Sequence, residues 1–493
     1  MSVARGPGVA ANAAWLVAGG LGARLLSFVA FWLLARVLTP AQMGVITLAL
    51  SVGAMCYEPG DGGLDPMVVR ALSRAHGRES ARLGAAFAAK ALYVTVGAAV
   101  AFASLALLVP DAPSRHAAML LVGGWVVGSL GRTLSAVFQA RERFVWKGAL
   151  DLGRSGTLAA GGLVLWVAGA GVGAAGFLYG IAEVVQAMLT AFIQRLHFGH
   201  VRATLSTRLT VRLARQAWLP GLSALAAMVY LVGDRVLLWR FTSRAEVGVY
   251  EAVSRIPLAF AVLPAAISMA AFPAISGRDR ARARRIYREA LVLMVTLAVP
   301  LGVGGAVLAN PGVALLYPPA YAAMGQPFAA IWMVVGAVIF VSYVPSSALL
   351  ALGRTTELAR ITASLAAGNI VLNLLVDPWL GTRGAASVML LTQLAGLVAY
   401  SLAAGRELGV AGPWSVLDPR VVLASGLAGL VAGLLPGGVV LRAAAGFVAY
   451  AGALAILRGW PSEAIRVLRE GLADSPRATG SVGSAPAVDR GAV

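Results

Sequence analysis

Between residues 11 and 457 the chain is a succession of apolar stretches of about 20 residues, each closed by a short polar or basic segment. That is the period a hydrocarbon layer of about 30 Å imposes on the helices that cross it. Lipid offers the backbone no hydrogen-bond partner, so a crossing segment must satisfy its own amides, as a helix or as a strand of a closed barrel. These runs are too long and too continuous for barrel strands. Only 12% of the residues are charged, against about 25% in soluble domains, and 59% are apolar. The expectation is an all-α, polytopic membrane protein with about fourteen transmembrane helices.

A net charge of +19 would suggest nucleic acid in a soluble chain. Here the placement of the charge decides. With the N-terminus in the cytoplasm, most of the 40 Lys and Arg fall in loops on that side. Arg70, Arg74, Arg78 and Arg82 share one loop, Arg195 to Arg215 occupy another, and a third holds the cluster from Arg278 to Arg288. The opposing loops are nearly bare, which is the positive-inside pattern. A bacterial inner-membrane location with both termini cytoplasmic is therefore expected, with membrane lipids and no nucleic acid as partners. The first run lacks a small-residue cleavage site and reads as a retained anchor.

The expected organisation is a first six-helix lobe over 1–194, a cytoplasmic linker over 195–216 and a second six-helix lobe over 217–404. A C-terminal helix pair follows over 405–458, then a Gly/Ser/Pro-rich disordered tail over 459–493. The lobes echo each other: Arg36, Ala41, Gly44 and Val45 recur as Arg240, Ala245, Gly248 and Val249 at an offset of 204. Arg143 and Gly173-Ala174-Ala175 recur as Arg354 and Gly384-Ala385-Ala386 at an offset of 211. Because each unit holds an even number of helices, the lobes share one orientation and are related by a pseudo-twofold axis along the membrane normal. A cavity is expected between them.

Charged groups inside membrane helices cost about 2.5–3.5 kcal/mol each on insertion scales, so those present are functional candidates. In the first lobe they are Arg24, Lys90, Arg132 and Glu183, and Arg255 joins them from the second. Cations on a central cavity suit an anionic substrate such as a diphosphate, whose oxygens a guanidinium fork matches. For Lys90 and Arg132 the alternative is snorkelling to nearby headgroups. In the second lobe Asn369, Asn373 and Asp377 follow at a spacing of four and share a helix face. With Asp234 and a hydroxyl from Thr392 they form the hard-oxygen set that binds Na+ or a proton. The competing reading pairs Asp234 with Arg235 or Arg255 and leaves the asparagines as glue between helices. Pro59, Gly60, Gly62, Gly63 and Pro66 are expected to interrupt the end of the second helix around Asp61 and Asp65, and Pro257 and Pro264 to break the eighth.

No Walker A, HExxH or GxSxG sequence is present, so no enzymatic activity and no cofactor are expected. One cysteine, Cys56, and four histidines exclude a disulfide framework and a zinc centre, leaving at most a monovalent cation as metal.

Several stretches together resemble the polysaccharide-transporter branch of the multidrug/oligosaccharidyl-lipid/polysaccharide exporter superfamily, which includes the O-antigen flippases. They are Ala35-Arg36-Val37-Leu38-Thr39-Pro40 through Gly44, and Asp61-Gly62-Gly63-Leu64 through Arg70. Asp234 followed by Ala245-Glu246-Val247-Gly248-Val249-Tyr250 belongs with them, as do Ala351-Leu352-Gly353-Arg354, Asn369, Asn373 and Gly384-Ala385-Ala386. The resemblance implies a flippase for undecaprenyl-diphosphate-linked oligosaccharide, working by alternating access with an ion gradient in lipopolysaccharide or other cell-surface polysaccharide biosynthesis. It implies a lipid-linked oligosaccharide as substrate, Na+ or H+ as coupling ion and a polysaccharide polymerase as neighbour. It also implies that Arg24, helped by Lys90 or Arg255, holds the diphosphate, and that the last helix pair lines a groove for the lipid tail. A drug/cation antiporter of the same superfamily is the main alternative, and a membrane polysaccharide polymerase a more distant one.

Overall fold

A computed structural model of the chain describes residues 9–73, 79–141, 143–198 and 206–466. Among the described residues the regular structure is helical throughout. The first six helices are α1 (Val9–Val37), α2 (Pro40–Ser73), α3 (Glu79–Leu108), α4 (Ala112–Ala140), α5 (Phe144–Ala168) and α6 (Val172–Phe198). Then come α7 (Thr207–Phe241), α8 (Arg244–Ala259), α9 (Val262–Ser276), α10 (Arg280–Leu316) and α11 (Pro319–Ala351). The chain continues with α12 (Thr355–Leu408), α13 (Pro419–Leu434) and α14 (Val439–Ile456).

Ten of these helices are each long and apolar enough to cross a membrane, and α8 with α9 forms an eleventh span bent by 43°. The bend falls between Pro257 and Pro264, where each proline removes a backbone donor. At 54 residues α12 is twice the length one crossing needs. It folds back on itself at Gly381, whose φ of 52° and ψ of −135° only glycine adopts without strain. Asn369 meets Thr392 across this hairpin, and Thr362 meets Tyr400. Two passes for α12, one for α5 and one for the shorter α13 bring the total to fourteen.

Two expectations need correction. α2 does not end at its Pro-Gly run but continues through Pro59 and Pro66 to Ser73, so Asp61 and Asp65 lie inside the helix. Within the expected linker over 195–216, α6 runs to Phe198 and α7 begins at Thr207. The start of the proposed tail is also ordered, with a helical turn over 462–466; from residue 467 the tail lies outside the described residues.

The two lobes repeat one packing scheme. α1 packs on α5 as α7 packs on α12, and α4 on α6 as α11 on α12. α2 packs on α4 as α8 and α9 pack on α11, and α3 on α4 as α10 on α11. Across the axis α2 meets α7 and α8, while α8 also meets α1. The repeat pair Gly44 and Gly248 lies at this crossing. A Cβ on Gly44 would fall 1.9 Å from the Arg244 carbonyl oxygen, and one on Gly248 would fall 2.1 Å from that of Pro40, so only glycine permits the approach.

That contact belongs to the face of the bundle bearing the α1–α2 and α7–α8 turns, opposite the arginine-rich face. On it the lobes are latched. Trp32 Nε1 donates to the carbonyl oxygen of Leu316 at 2.7 Å, and Trp239 Nε1 to that of Leu108 at 3.0 Å. Both carbonyls end a helix and are followed two residues later by proline, in Leu107-Leu108-Val109-Pro110 and Leu315-Leu316-Tyr317-Pro318, an echo at an offset of 208. A helix end leaves such carbonyls without an intrahelical partner, and the opposite lobe supplies one. Tyr321 donates to the Leu38 carbonyl at 3.0 Å, and Arg244 pairs with Asp111. The Ser114 hydroxyl and the Arg244 guanidinium hold the Asp111 carboxyl down to about 2, from an ordinary 3.8. A depressed carboxylate contributes above its ordinary value and loses that contribution only as pH falls towards 2, so this pair does not respond to physiological pH.

Candidate functional site

In the first lobe the uninterrupted α2 sets Asp61 and Asp65 one turn apart, facing Lys90 of α3. The Lys90 side chain is fully buried. Its Nζ lies 2.6 Å from Asp61 and 2.7 Å from Asp65, and it donates to the Gly60 carbonyl at 3.0 Å. From α4, Arg132 donates through Nε to Asp61 at 2.9 Å and through Nη1 to Glu183 of α6 at 2.9 Å. Ser129 bonds Asp61 at 2.5 Å, and Arg154 of α5 pairs with Glu183 at 3.1 Å. Gly128 leaves the space for the Glu183 carboxylate, since a Cβ there would fall 2.1 Å from it. The result is an alternating chain of charges tying five helices together. Lys90 and Arg132 thus neither snorkel nor stand free for a substrate anion; their charge is already matched. A cavity of about 460 Å³ lies against this network between α2, α4, α5 and α6.

In the second lobe Asp234 of α7 pairs with its neighbour Arg235 at 2.7 Å and accepts from the Tyr250 hydroxyl at 2.6 Å. Arg235 donates onward to Glu251 at 2.9 Å, Ser254 at 3.2 Å and the Leu231 carbonyl at 2.8 Å. Glu251 in turn accepts from Arg255 at 2.7 Å. Of the two pairings open to Asp234, the structure has the one with Arg235. These four charges cancel, and Asp377 adds a fifth.

Asn369, Asn373 and Asp377 are buried along one face of α12, as their spacing suggests. Asn373 donates to the Asn369 side chain at 2.9 Å, and Asn369 donates to Thr392 at 3.1 Å. Asp377 is only 1% exposed, yet both its carboxylate oxygens lack a hydrogen-bond partner among the described residues, as does Asn373 Oδ1. Asp377 also lies within electrostatic reach of Asp234 and Tyr250. An unpaired buried carboxylate is costly unless a cation or a proton compensates it. The donors are few, hard and carry little charge, which fits a monovalent cation. No group of three acidic, His or Cys side chains able to hold a metal ion occurs among the described residues.

Between the lobes the Arg255 guanidinium sits 4.1 Å from the Phe31 ring of α1. Arg24 precedes Phe31 by seven residues, two turns, and so shares its helix face. It is exposed, with no ion pair among the described residues. Arg255 of the second lobe thus meets the face of α1 on which Arg24 lies two turns away, and Lys90 and Arg132 lie elsewhere. On the outer side of the second lobe, α13 and α14 cover α10 and bound an apolar groove of about 420 Å³ lined by Phe260, Leu301, Met333, Phe447 and Tyr450. The Tyr450 hydroxyl anchors α14 to the Thr296 carbonyl at 2.5 Å.

Sequence reasoning left Asp61, Asp65, Arg154, Arg235 and Glu251 out of the site. Asp61 and Asp65 were detectable through their spacing of four, the spacing that shares a helix face; reading the Pro-Gly run as a helix end hid it.

Two six-helix lobes facing each other across a pseudo-twofold axis, with a helix pair added to the second, define a multi-pass membrane protein with the fold of the multidrug and lipid exporters. The fold matches the lipid II flippase MurJ in its inward closed conformation, with a TM-score of 0.74 at 14% identity over 90% of this chain and 98% of that one. It matches an inward-facing multidrug resistance MATE family transporter of the MOP superfamily with a TM-score of 0.63 at 14% identity over 78% and 94%. Residues 9–277, more than half the chain, match the polysaccharide biosynthesis protein family, and the chain belongs to that family. The probable flippase AglR of Haloferax volcanii is 30% identical over 267 residues, 52% of this chain and 55% of its own length. The chain thus spans about half the length of the curated relative it matches.

Proposed function

We propose that the chain is a flippase that moves an undecaprenyl-diphosphate-linked oligosaccharide from the cytoplasmic to the periplasmic leaflet of the inner membrane, for cell-surface polysaccharide such as O-antigen. The observation that carries this reading is the inter-lobe contact, where Arg255 stacks on Phe31 and an unpaired Arg24 shares the same helix face. On this reading the arginine-rich face is cytoplasmic, both termini lie there, and the lobes over 1–194 and 217–404 move against each other. The oligosaccharide head enters from the basic face, and the two guanidinium groups take the diphosphate oxygens. The lipid tail stays in the bilayer, beside the groove under α14. Closure of the basic face would then accompany release of the tryptophan latches, presenting the head to the other side for a polymerase to use. In the second lobe Asp377, Asn373, Asn369 and Thr392 would hold a monovalent cation or a proton, with Asp234 close by. When bound, that ion supplies the positive charge that Asp377 lacks, so the packing of α12 against α7 depends on its presence.

Two measurements test the reading. In a flippase-deficient strain, expression of the chain should restore surface polysaccharide and move lipid-linked intermediates to the outer leaflet. Intermediates that stay on the inner leaflet, with extrusion of a cationic dye instead, would favour the antiporter. In proteoliposomes, Asp377→Asn should remove the dependence of transport on a Na+ or pH gradient; an unchanged dependence takes Asp377 out of the ion site.

A further inference from the structure

The first-lobe cavity has no role in the scheme above. It is about 460 Å³, within the range of small-molecule sites. Its charges are nearly all satisfied. Asp61 and Asp65 are held by Lys90, and Asp61 also by Arg132. Asp151 is held by Lys147 at 3.2 Å and by the Gln186 amide at 3.3 Å. The exception is Glu58, one turn before Asp61 on α2. It lines the cavity, is half-buried, and has neither ion pair nor hydrogen bond among the described residues. Its carboxylate lies back over Gly62, where a Cβ would come within 2.6 Å of it.

The cavity therefore offers an anion no free cation. It offers one free carboxylate, the Gln139 amide, the second amide proton and the carbonyl oxygen of Gln186, and the acceptor lone pairs of the Ser135 and Thr190 hydroxyls, whose protons go to the Arg132 and Gln186 backbone carbonyls. Carboxylates and amides of this kind bond paired sugar hydroxyls, and a carboxylate also takes an ammonium. We propose that this cavity is the subsite that reads the glycan, accepting neutral or amine-bearing sugars and rejecting acidic ones, with Glu58 as the discriminating group. The proposal rests on the flippase reading. It separates two tasks in space: the inter-lobe arginines take the diphosphate common to every such substrate, and the first lobe takes the sugars that differ.

The test uses the full-length protein in proteoliposomes with three polyprenyl-diphosphate-linked disaccharides, carrying N-acetylglucosamine, glucosamine or glucuronic acid at the same position. Wild type should move the glucuronic acid compound about tenfold more slowly than the other two, and Glu58→Gln should lower the ratio of amine-bearing to neutral rates by about tenfold, the size of a charge-assisted hydrogen bond. A merely structural role for Glu58 would change all three rates together and leave that ratio intact, which overturns the proposal. Equal rates for all three compounds in wild type overturn it as well. Movement of none of them removes the flippase reading itself, and the proposal with it. A second readout needs no transport: in a Cys56→Ser background, free glucosamine should slow alkylation of Thr190→Cys and glucuronate should not. Equal alkylation rates with both sugars count against the subsite.

Discussion

Lys90→Met should lower the stability of the solubilised protein by about 3–5 kcal/mol, the cost of removing one partner from a buried ion pair. The lysine ammonium bridges Asp61 and Asp65, and its own side chain is completely buried, so its loss leaves two neighbouring carboxylates without their shared counter-charge. The change should appear as a large drop in Tm in detergent. Lys90→Met combined with Asp65→Asn restores the charge count, with Asp61 still paired to Arg132, and should recover more than half of the loss. A single variant that melts like wild type would mean that this chain of charges does not hold the first lobe together.

The second large effect is on transport. Arg24→Ala and Arg255→Ala should each reduce surface polysaccharide by about 10–100-fold, from the loss of charge-assisted hydrogen bonds to phosphate oxygens. Protein levels in the membrane should stay normal, because Arg24 makes no ion pair or hydrogen bond among the described residues, and loss of Arg255 leaves Glu251 paired with Arg235 and removes one ring contact with Phe31. Arg255→Lys should not rescue, since an ammonium cannot spread over the Phe31 ring while holding Glu251. Normal polysaccharide in either alanine variant removes that arginine from the substrate path.

The helices were legible in the sequence because apolar runs of this length and continuity have only one solution in lipid. The bend between Pro257 and Pro264 was legible too, since it is local backbone chemistry. The Pro-Gly run of α2 misled for the opposite reason. Two prolines and three glycines argue locally against a helix, but neighbours on α3, α4 and α7 pack against the segment, and Lys90 bonds the Gly60 carbonyl. Tertiary contact outweighed propensity there. The polar face of α12 showed itself as a spacing of four on one element, and the Thr392 hydroxyl, already singled out in the sequence, meets Asn369 across the hairpin. The charge networks did not show themselves, because their members come from up to five helices. Sequence reveals that a membrane helix carries a charge; which partner neutralises it depends on how the helices are arranged around it.

The tryptophan latches have a consequence for energy economy. They are images of each other across the pseudo-twofold axis, so a rotation of the lobes about it strains both equally and neither can yield first. Two such bonds at about 1 kcal/mol each bias the resting protein towards the latched state by roughly 30-fold. The door therefore has two matched bolts and a threshold. A ligand that binds both states alike leaves it shut however tightly it binds, and only one that favours the open state by more than the bolts hold will pass. On the flippase reading, that threshold would keep an unloaded protein from swinging between its two faces.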